Sequence, residues 1–421
     1  MTEEGLSDIS ALSHPLRASL SEEMHARTVP HFSAPCRLMQ VLTLTDGAQS
    51  IAHMSTLARK HGGPESPGKF AILPLEDMTL VWELHSEFAS YTLIRPGPSP
   101  TLFDPSDFGG LVDDLLEDLP GKVVRATQIA VLSRYAPPPT KEQLEAAFTV
   151  ESLVVCDVAG GTARIWSDFR LKPDGYGRLL VADRGLEGGE TTRLVQKVQE
   201  LGNYRNMALL GLPPAQRLTP EVSRLEARLA KLSHDVSEGS EEDHVLLEEL
   251  SFLSAELARL DAETRYRMSA TRAYAQLSAD RLAAIEASKV RGYPTLADFT
   301  ERRLMPAIRT CQSFSQRLDD LSQRAAWTSS LLRTRVDTAL ARQNRDLLHS
   351  MDRRTQAQLR LQQAVEGLSV AAISYYLVGL SAYVIKAVPG IPHEAAIAVL
   401  VPVVITIASL SLLLLRRRLH D

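Results

Sequence analysis

The sequence predicts an α+β fold: an α/β N-terminal cytoplasmic domain, then a long helical coiled-coil stalk and a two-helix C-terminal transmembrane hairpin. Three observations carry this. Short β-branched segments interleave with helical patterns before residue 212, leucines recur at heptad spacing after Thr219, and two apolar runs close the chain. The boundaries that follow are 1–212 for the α/β domain, 213–365 for the stalk and 366–421 for the hairpin with its basic tail.

In the first segment, Arg37 to Thr45, Met78 to Leu84, Ser90 to Ile94, Leu153 to Val158, Thr162 to Trp166 and Arg178 to Val181 read as strands. Each is short, rich in β-branched or aromatic residues, and bounded by Gly, Pro or Asp. Helical patterns fall at Ser13 to Ala26, Ile51 to Lys60, Lys141 to Phe148 and Thr191 to Met207, with proline-rich loops at 61–68, 96–100 and 137–139. Strands alternating with helices give the α+β or α/β class.

Thr219 followed by Pro220 reads as an N-cap and first helical residue, since a cap oxygen serves the orphan amides and proline lacks one. Val222, Leu225, Leu229, Leu232 and Val236 then follow at spacings of three and four, the seam of a coiled coil. After the polar break at 237–240 the seam resumes with Leu246, Leu250, Leu253, Leu257 and Leu260, which predicts an antiparallel helical pair or two stalk segments. Gly292-Tyr293-Pro294 is the next break, and Thr295 to Asp298 restarts a helix. Its later part is polar with sparse apolar anchors, a pattern stable only when packed on other helices or on further copies, so a homo-oligomer is expected.

Gly367 to Ile385 and Ala395 to Leu415 contain no formally charged residue. Each matches the roughly 20 residues that a helix needs to cross about 30 Å of hydrocarbon. Arg353, Arg354 and Arg360 precede the first run and Arg416, Arg417 and Arg418 follow the second, whereas the turn between carries one lysine and one glutamate. The positive-inside rule then places both ends in the cytoplasm and the turn outside, as a multi-pass protein of the plasma membrane. The acidic start Met1-Thr2-Glu3-Glu4 predicts no secretory signal. A net charge of −5 and a pI near 6.2 argue against nucleic acid as partner, leaving membrane lipid and an undetermined cytosolic ligand or ion. Cys36, Cys156 and Cys311 are far apart and form no C-x-x-C pair, which suits a reducing compartment.

Candidate chemistry is sparse. His14, Arg17, Glu22, His25 and Arg27 gather ionisable groups in the first thirty residues; Glu22 and His25 share a helical face, and His14, Glu22 and His25 are the candidate metal ligands. Caps and surface ion pairs explain the same residues. Gly160-Gly161 reads as a hairpin turn, and the glycines at 185–189 match neither phosphate-binding glycine motif, so no cofactor is expected. No serine, cysteine or lysine has a context that predicts an activated nucleophile, and the chain is read as a binding or scaffold protein and not an enzyme. In the first apolar run, Ala372, Tyr376, Gly379 and Tyr383 form a stripe ending at Lys386 that serves either helix packing or, in several copies, a pore lining.

The segments HPLRASLSEEMHARTVPHFSAPCRLMQ and VEGLSVAAISYYLVGLSAYVIKA resemble the bacterial family catalogued as domain of unknown function 3422, described as membrane-anchored. The resemblance covers nearly the whole chain and implies no activity. The layout is also similar to CorA-type metal-ion transporters, which implies an oligomeric channel as the alternative function. Those proteins carry Gly-Met-Asn after the first span, where this chain has Ala387-Val388-Pro389-Gly390.

Overall fold

The computed structural model of the chain describes residues 12–25, 29–63, 68–99, 101–239, 242–386 and 392–420. It divides into two compact units, Met1–Glu238 with Glu248–Ala326, and Gly239–Leu247 with Trp327–Asp421.

The first unit opens with α1 (Arg17–His25), β1 (Cys36–Leu44), α2 (Gly47–Lys60), β2 (Phe70–Pro74), β3 (Thr79–Leu84) and β4 (Phe88–Pro96). It continues through α3 (Leu111–Leu116), β5 (Lys122–Leu132), α4 (Lys141–Ala147), β6 (Val154–Val158), β7 (Ala163–Ser167), β8 (Gly177–Asp183) and α5 (Glu190–Leu209). The helices α6 (Leu212–Glu238) and α7 (Asp243–Ala284), the two-residue strand β9 (Ser288–Lys289) and α8 (Leu296–Lys386) follow. Among the described residues the strands form one nine-stranded sheet in the order β2-β3-β4-β1-β5-β8-β7-β6-β9. All neighbours pair antiparallel except β5 with β8, whose side-by-side parallel ladder lies in the middle of the sheet.

Side chains alternate across a strand, so each face gathers its own core. Ile129 and Val131 of β5 and Leu179 and Val181 of β8 meet Leu194, Val195, Val198 and Leu201 of α5. On the other face Ala130 and Leu180 join Ala147, Phe148 and Trp166, while Met39, Trp82, Tyr91 and Leu93 pack on Met54 and Leu57 of α2 and Leu115 of α3. The buried polar atoms of that second core satisfy each other: Trp82 Nε1 donates to Ser50 Oγ at 3.2 Å, and Ser50 Oγ lies 3.0 Å from Tyr91 Oη.

The mixed α+β character expected before residue 212 is present, but β5 was not anticipated, nor were β2 and β9. Strand β5 reads V-V-R-A-T-Q-I, so its polar residues break the apolar run; it is nevertheless the strand that joins the two halves of the sheet. The glycines at 160–161 do make the turn between the antiparallel strands β6 and β7.

Helix α6 starts seven residues before the Thr219 signal. Pro213 and Pro214 occupy its first turn, where proline removes no bonded amide, and Pro220 lies inside the helix. Thr219 Oγ1 donates to the Ala215 carbonyl at 2.6 Å instead of capping a new helix. The heptad residues of α6 and of α7 are all buried. Helices α5 and α6 run antiparallel to α7, because their partners move in opposite directions along the chain. Lys197 Nζ donates to the Ala284 carbonyl at 3.1 Å, Thr271 Oγ1 to the Ala208 carbonyl at 3.1 Å, and Arg217 pairs with Glu263 at 2.8 Å. Farther along, Arg228 pairs with Glu256 at 3.4 Å. Arg317 of α8 reaches Glu226 of α6 at 2.6 Å, bringing the third helix against the pair. The restart at Thr295 is present as a reciprocal cap: Asp298 N donates to Thr295 Oγ1 at 3.1 Å, and Thr295 N donates to Asp298 Oδ2 at 2.9 Å.

In the second unit, α8 carries exposed Trp327, Leu331, Leu340, Leu347, Leu348 and Met351 before its apolar end. Arg335 Nε pairs there with Asp243 at 3.1 Å. Helix α9 (His393–His420) follows. The apolar part of α8 and the 18 residues Glu394–Ser411 of α9 are long and apolar enough to cross a membrane. Neither is buried within this chain: Ile373, Leu380, Val384, Val399 and Ile407 are each more than half exposed. The Ala387 to Gly390 segment, where the sequence departs from the CorA pattern, lies outside the described residues.

Candidate functional site

His14 and Glu22 are exposed, and His14 Nδ1 accepts from the Leu16 amide at 3.2 Å, a local turn contact. The side chain of His25 lies outside the described residues. Among the described residues no group of three His, Cys, Asp or Glu could hold a metal. Tyr376, Tyr383 and Lys386 are exposed, and a Cβ on Gly379 would meet nothing within 4 Å, so the stripe faces open space within this chain. The glycine loop before α5 is internally satisfied, with Asp183 Oδ1 accepting from the amides of Gly185 and Leu186 at 2.8 Å each. The three cysteines are free and buried. Burial pushes the Cys36 thiol up to about 12 and that of Cys156 up to about 11, far from a reactive thiolate.

The most developed site is a cavity of about 290 Å³ between the β5–β8 pair and α5. Alternation along β5 puts Arg125 on the same face as Ile129 and Val131, pointing at α5. There its Nη1 donates to Gln40 Oε1 of β1 at 2.6 Å and to Asn203 Oδ1 of α5 at 2.9 Å. These amides fix the guanidinium without neutralising it. One helical turn of α5 makes room for it: a Cβ on Gly202 would stand 2.7 Å from Arg125 Cζ and Nη2. Arg205, three residues along α5, lays its guanidinium over Phe169 at 4.4 Å from the ring centroid, and over Phe299 at 5.7 Å. The two rings are themselves stacked at 4.3 Å.

None of the described residues that line the cavity is acidic. Among the described residues neither Arg125 nor Arg205 has a carboxylate partner, whereas Arg170 donates to Ser152 Oγ at 3.0 Å and Arg178 to Asp174 at 3.4 Å. The electrostatic consequence is large. Burial, reinforced by the neighbouring Arg205 charge, pushes Arg125 down to about 9, and burial pushes Arg205 down to about 10. Both remain cationic at neutral pH. The side chains keep some exposure because the cavity opens to solvent, and two desolvated cations face a space that an anion would stabilise.

Each guanidinium offers a planar fork suited to two oxygens of one anion. On Arg125 the two amide acceptors occupy Nη1, so Nε and Nη2, the edge that grips bidentately, are without protein partners among the described residues. Thr127 and Asn206 add polar groups to the wall, while Leu171, Leu179, Val198, Leu201 and Leu296 make the rest apolar. A lining of this kind, with two arginines and no acidic residue among those described, suits an anion. Sequence reasoning passed over Arg125 and Arg205. The available signal was a charged residue of inward parity within β5, legible only once 122–132 is recognised as a strand.

A family model described as protein of unknown function (DUF3422) matches residues 12–419 of the chain. No curated protein and no solved structure matches it.

Proposed function

The chain belongs to the DUF3422 family, and from that premise we propose that it is a membrane-anchored, self-associating binding protein whose cytoplasmic α+β domain takes up a small anion in the Arg125–Arg205 cavity. The observation that carries this reading is the pair of cavity-facing guanidinium groups with no carboxylate opposite them. A buried cation without a counterion is costly, and the cost is offset when a ligand brings the missing charge. The gathered groups are donors that hold an anion, which favours binding over catalysis.

Anchoring rests on the apolar ends of α8 and α9, whose large apolar side chains, among the described residues, are mostly exposed. In water such surface is unfavourable by about 25 cal/mol per Å². A bilayer covers it. With Arg353, Arg354, Arg360 and the triplet Arg416 to Arg418 held inside, both ends lie in the cytoplasm of a bacterial inner membrane. Self-association is supported by the exposed leucines of α8 between residues 331 and 348, which a second copy would cover.

Thermal denaturation of the detergent-purified full chain tests the binding reading. Anions should raise the midpoint and matched cations should not; an unchanged midpoint across all small anions contradicts it. A second reading, conduction through several copies of the hairpin, is favoured by the open Tyr376, Gly379, Tyr383 and Lys386 stripe. Ion flux above that of empty vesicles would support it.

A further inference from the structure

We infer that the ligand of the Arg125–Arg205 cavity is a phosphate monoester bound as its dianion, with its organic body along the apolar wall. The inference rests on the reading of that cavity as an anion site and names the chemistry of the anion.

The charge count comes first. Two half-buried cations, Arg125 and Arg205, face the cavity without a carboxylate; of the other lining arginines, Arg178 pairs with Asp174, and Arg170, which donates to the neutral Ser152 Oγ, is exposed, so water screens its charge. A ligand of charge −2 closes the balance. A monocarboxylate leaves one guanidinium uncompensated, and a phosphodiester does the same.

Geometry narrows the class further. The unoccupied Nε and Nη2 edge of Arg125 takes two oxygens of one group, and Arg205, three residues along α5 from the Gly202 that packs on Arg125, lines the same cavity. Two guanidinium forks in the wall of one cavity suit a group that carries three strong acceptor oxygens, which a terminal phosphate has and a single carboxylate lacks. A dicarboxylate carries the same total charge on two separated groups.

The remaining wall selects the body. Leu171, Leu179, Val198, Leu201 and Leu296 present apolar surface, and Phe169 supports Arg205 from beneath. Free inorganic phosphate uses only the cationic end, so a monoester with an apolar or aromatic substituent should bind more tightly than phosphate itself.

The test is calorimetric titration of the full chain in detergent with phenyl phosphate, inorganic phosphate, phenyl sulfate and phthalate, at pH 7.5 and again at pH 5. Because the second phosphate ionisation lies near pH 6, the dianion falls to about a tenth of the monoester at pH 5. Both arginines keep their charge throughout. Phenyl phosphate affinity is therefore expected to drop about tenfold between the two pH values, while phenyl sulfate, singly charged throughout, binds weakly at both. Arg205→Lys, which keeps the charge and loses the fork, should weaken phenyl phosphate at least tenfold without changing the circular dichroism. Arg125→Lys should do the same, so the result does not depend on one variant folding.

Phthalate binding as tightly as phenyl phosphate, or phenyl phosphate binding that ignores pH, would overturn the monoester assignment while leaving an anion site. No anion binding at either pH, or monoester binding that survives both lysine variants, would overturn the cavity reading itself.

Discussion

Gly202 shows how a single missing side chain sets up the site. The Arg125 guanidinium rests where a Cβ would stand, so Gly202→Ala would push it away from Gln40 and Asn203. The displaced group is the far end of a flexible side chain, and alanine favours helix over glycine by about 1 kcal/mol. Gly202→Ala should therefore leave the melting temperature near that of the parent and reduce anion binding at least tenfold, a separation that melting and calorimetry of one preparation would read. Asp168 makes a second residue-scale case. Burial pushes its carboxyl up, yet Lys172 Nζ at 2.7 Å and the amides of Thr149 and Arg170 outweigh that and hold it below the ordinary carboxylate range. A depressed folded value means the stabilisation is fully present above the unfolded pKa near 3.9 and is lost as pH falls through the lower folded one. Asp168→Asn should cost about 3 kcal/mol at pH 7 and shrink the acid-induced loss seen in the parent by tryptophan fluorescence melts. The Arg125 site was not legible beforehand, since Gln40 and Asn203 are far away in sequence; Asp168 has Arg170 and Lys172 close by, and only the burial that makes their contacts count was hidden.

Elements whose evidence is periodic were the readable ones. Heptads place Leu225, Leu229 and Leu232 inside a helical assembly, and all three are buried. Leu229→Ala should lower stability by about 2–5 kcal/mol in denaturant titration, whereas Phe252→Ala, at a side chain 65% exposed, should change it by less than about 0.5 kcal/mol. Equal effects of the two would contradict the packing described. The apparent start at Thr219 misled because capping residues and prolines also occur inside helices that began earlier; Pro213 and Pro214 carried the same signal seven residues upstream. Strand β5 escaped notice for the opposite reason: a strand that carries a half-buried arginine and a buried threonine and glutamine on its faces loses the apolar alternation by which strands are recognised.

At the scale of the molecule, the two apolar ends were plain from composition because a membrane span needs only length and lack of charge. The α+β class of the first unit was legible too, although the order of the strands was not, since pairing such as β5 with β8 joins residues separated by a whole helix and hairpin. Self-association predicts a light-scattering mass well above the 46.3 kDa of one chain once detergent is subtracted; a strict monomer would contradict it. Anchoring predicts that the full chain stays with membranes through alkaline carbonate extraction. The hairpin itself is tested most directly by thiol labelling of intact bacterial cells stripped of any outer membrane, where buried Cys36, Cys156 and Cys311 stay silent. A cysteine at Glu394 should react with an impermeant maleimide, and one at Asp421 should react only after the membrane is opened. Labelling of Asp421→Cys in intact cells, or none of Glu394→Cys, would contradict a hairpin with both ends inside.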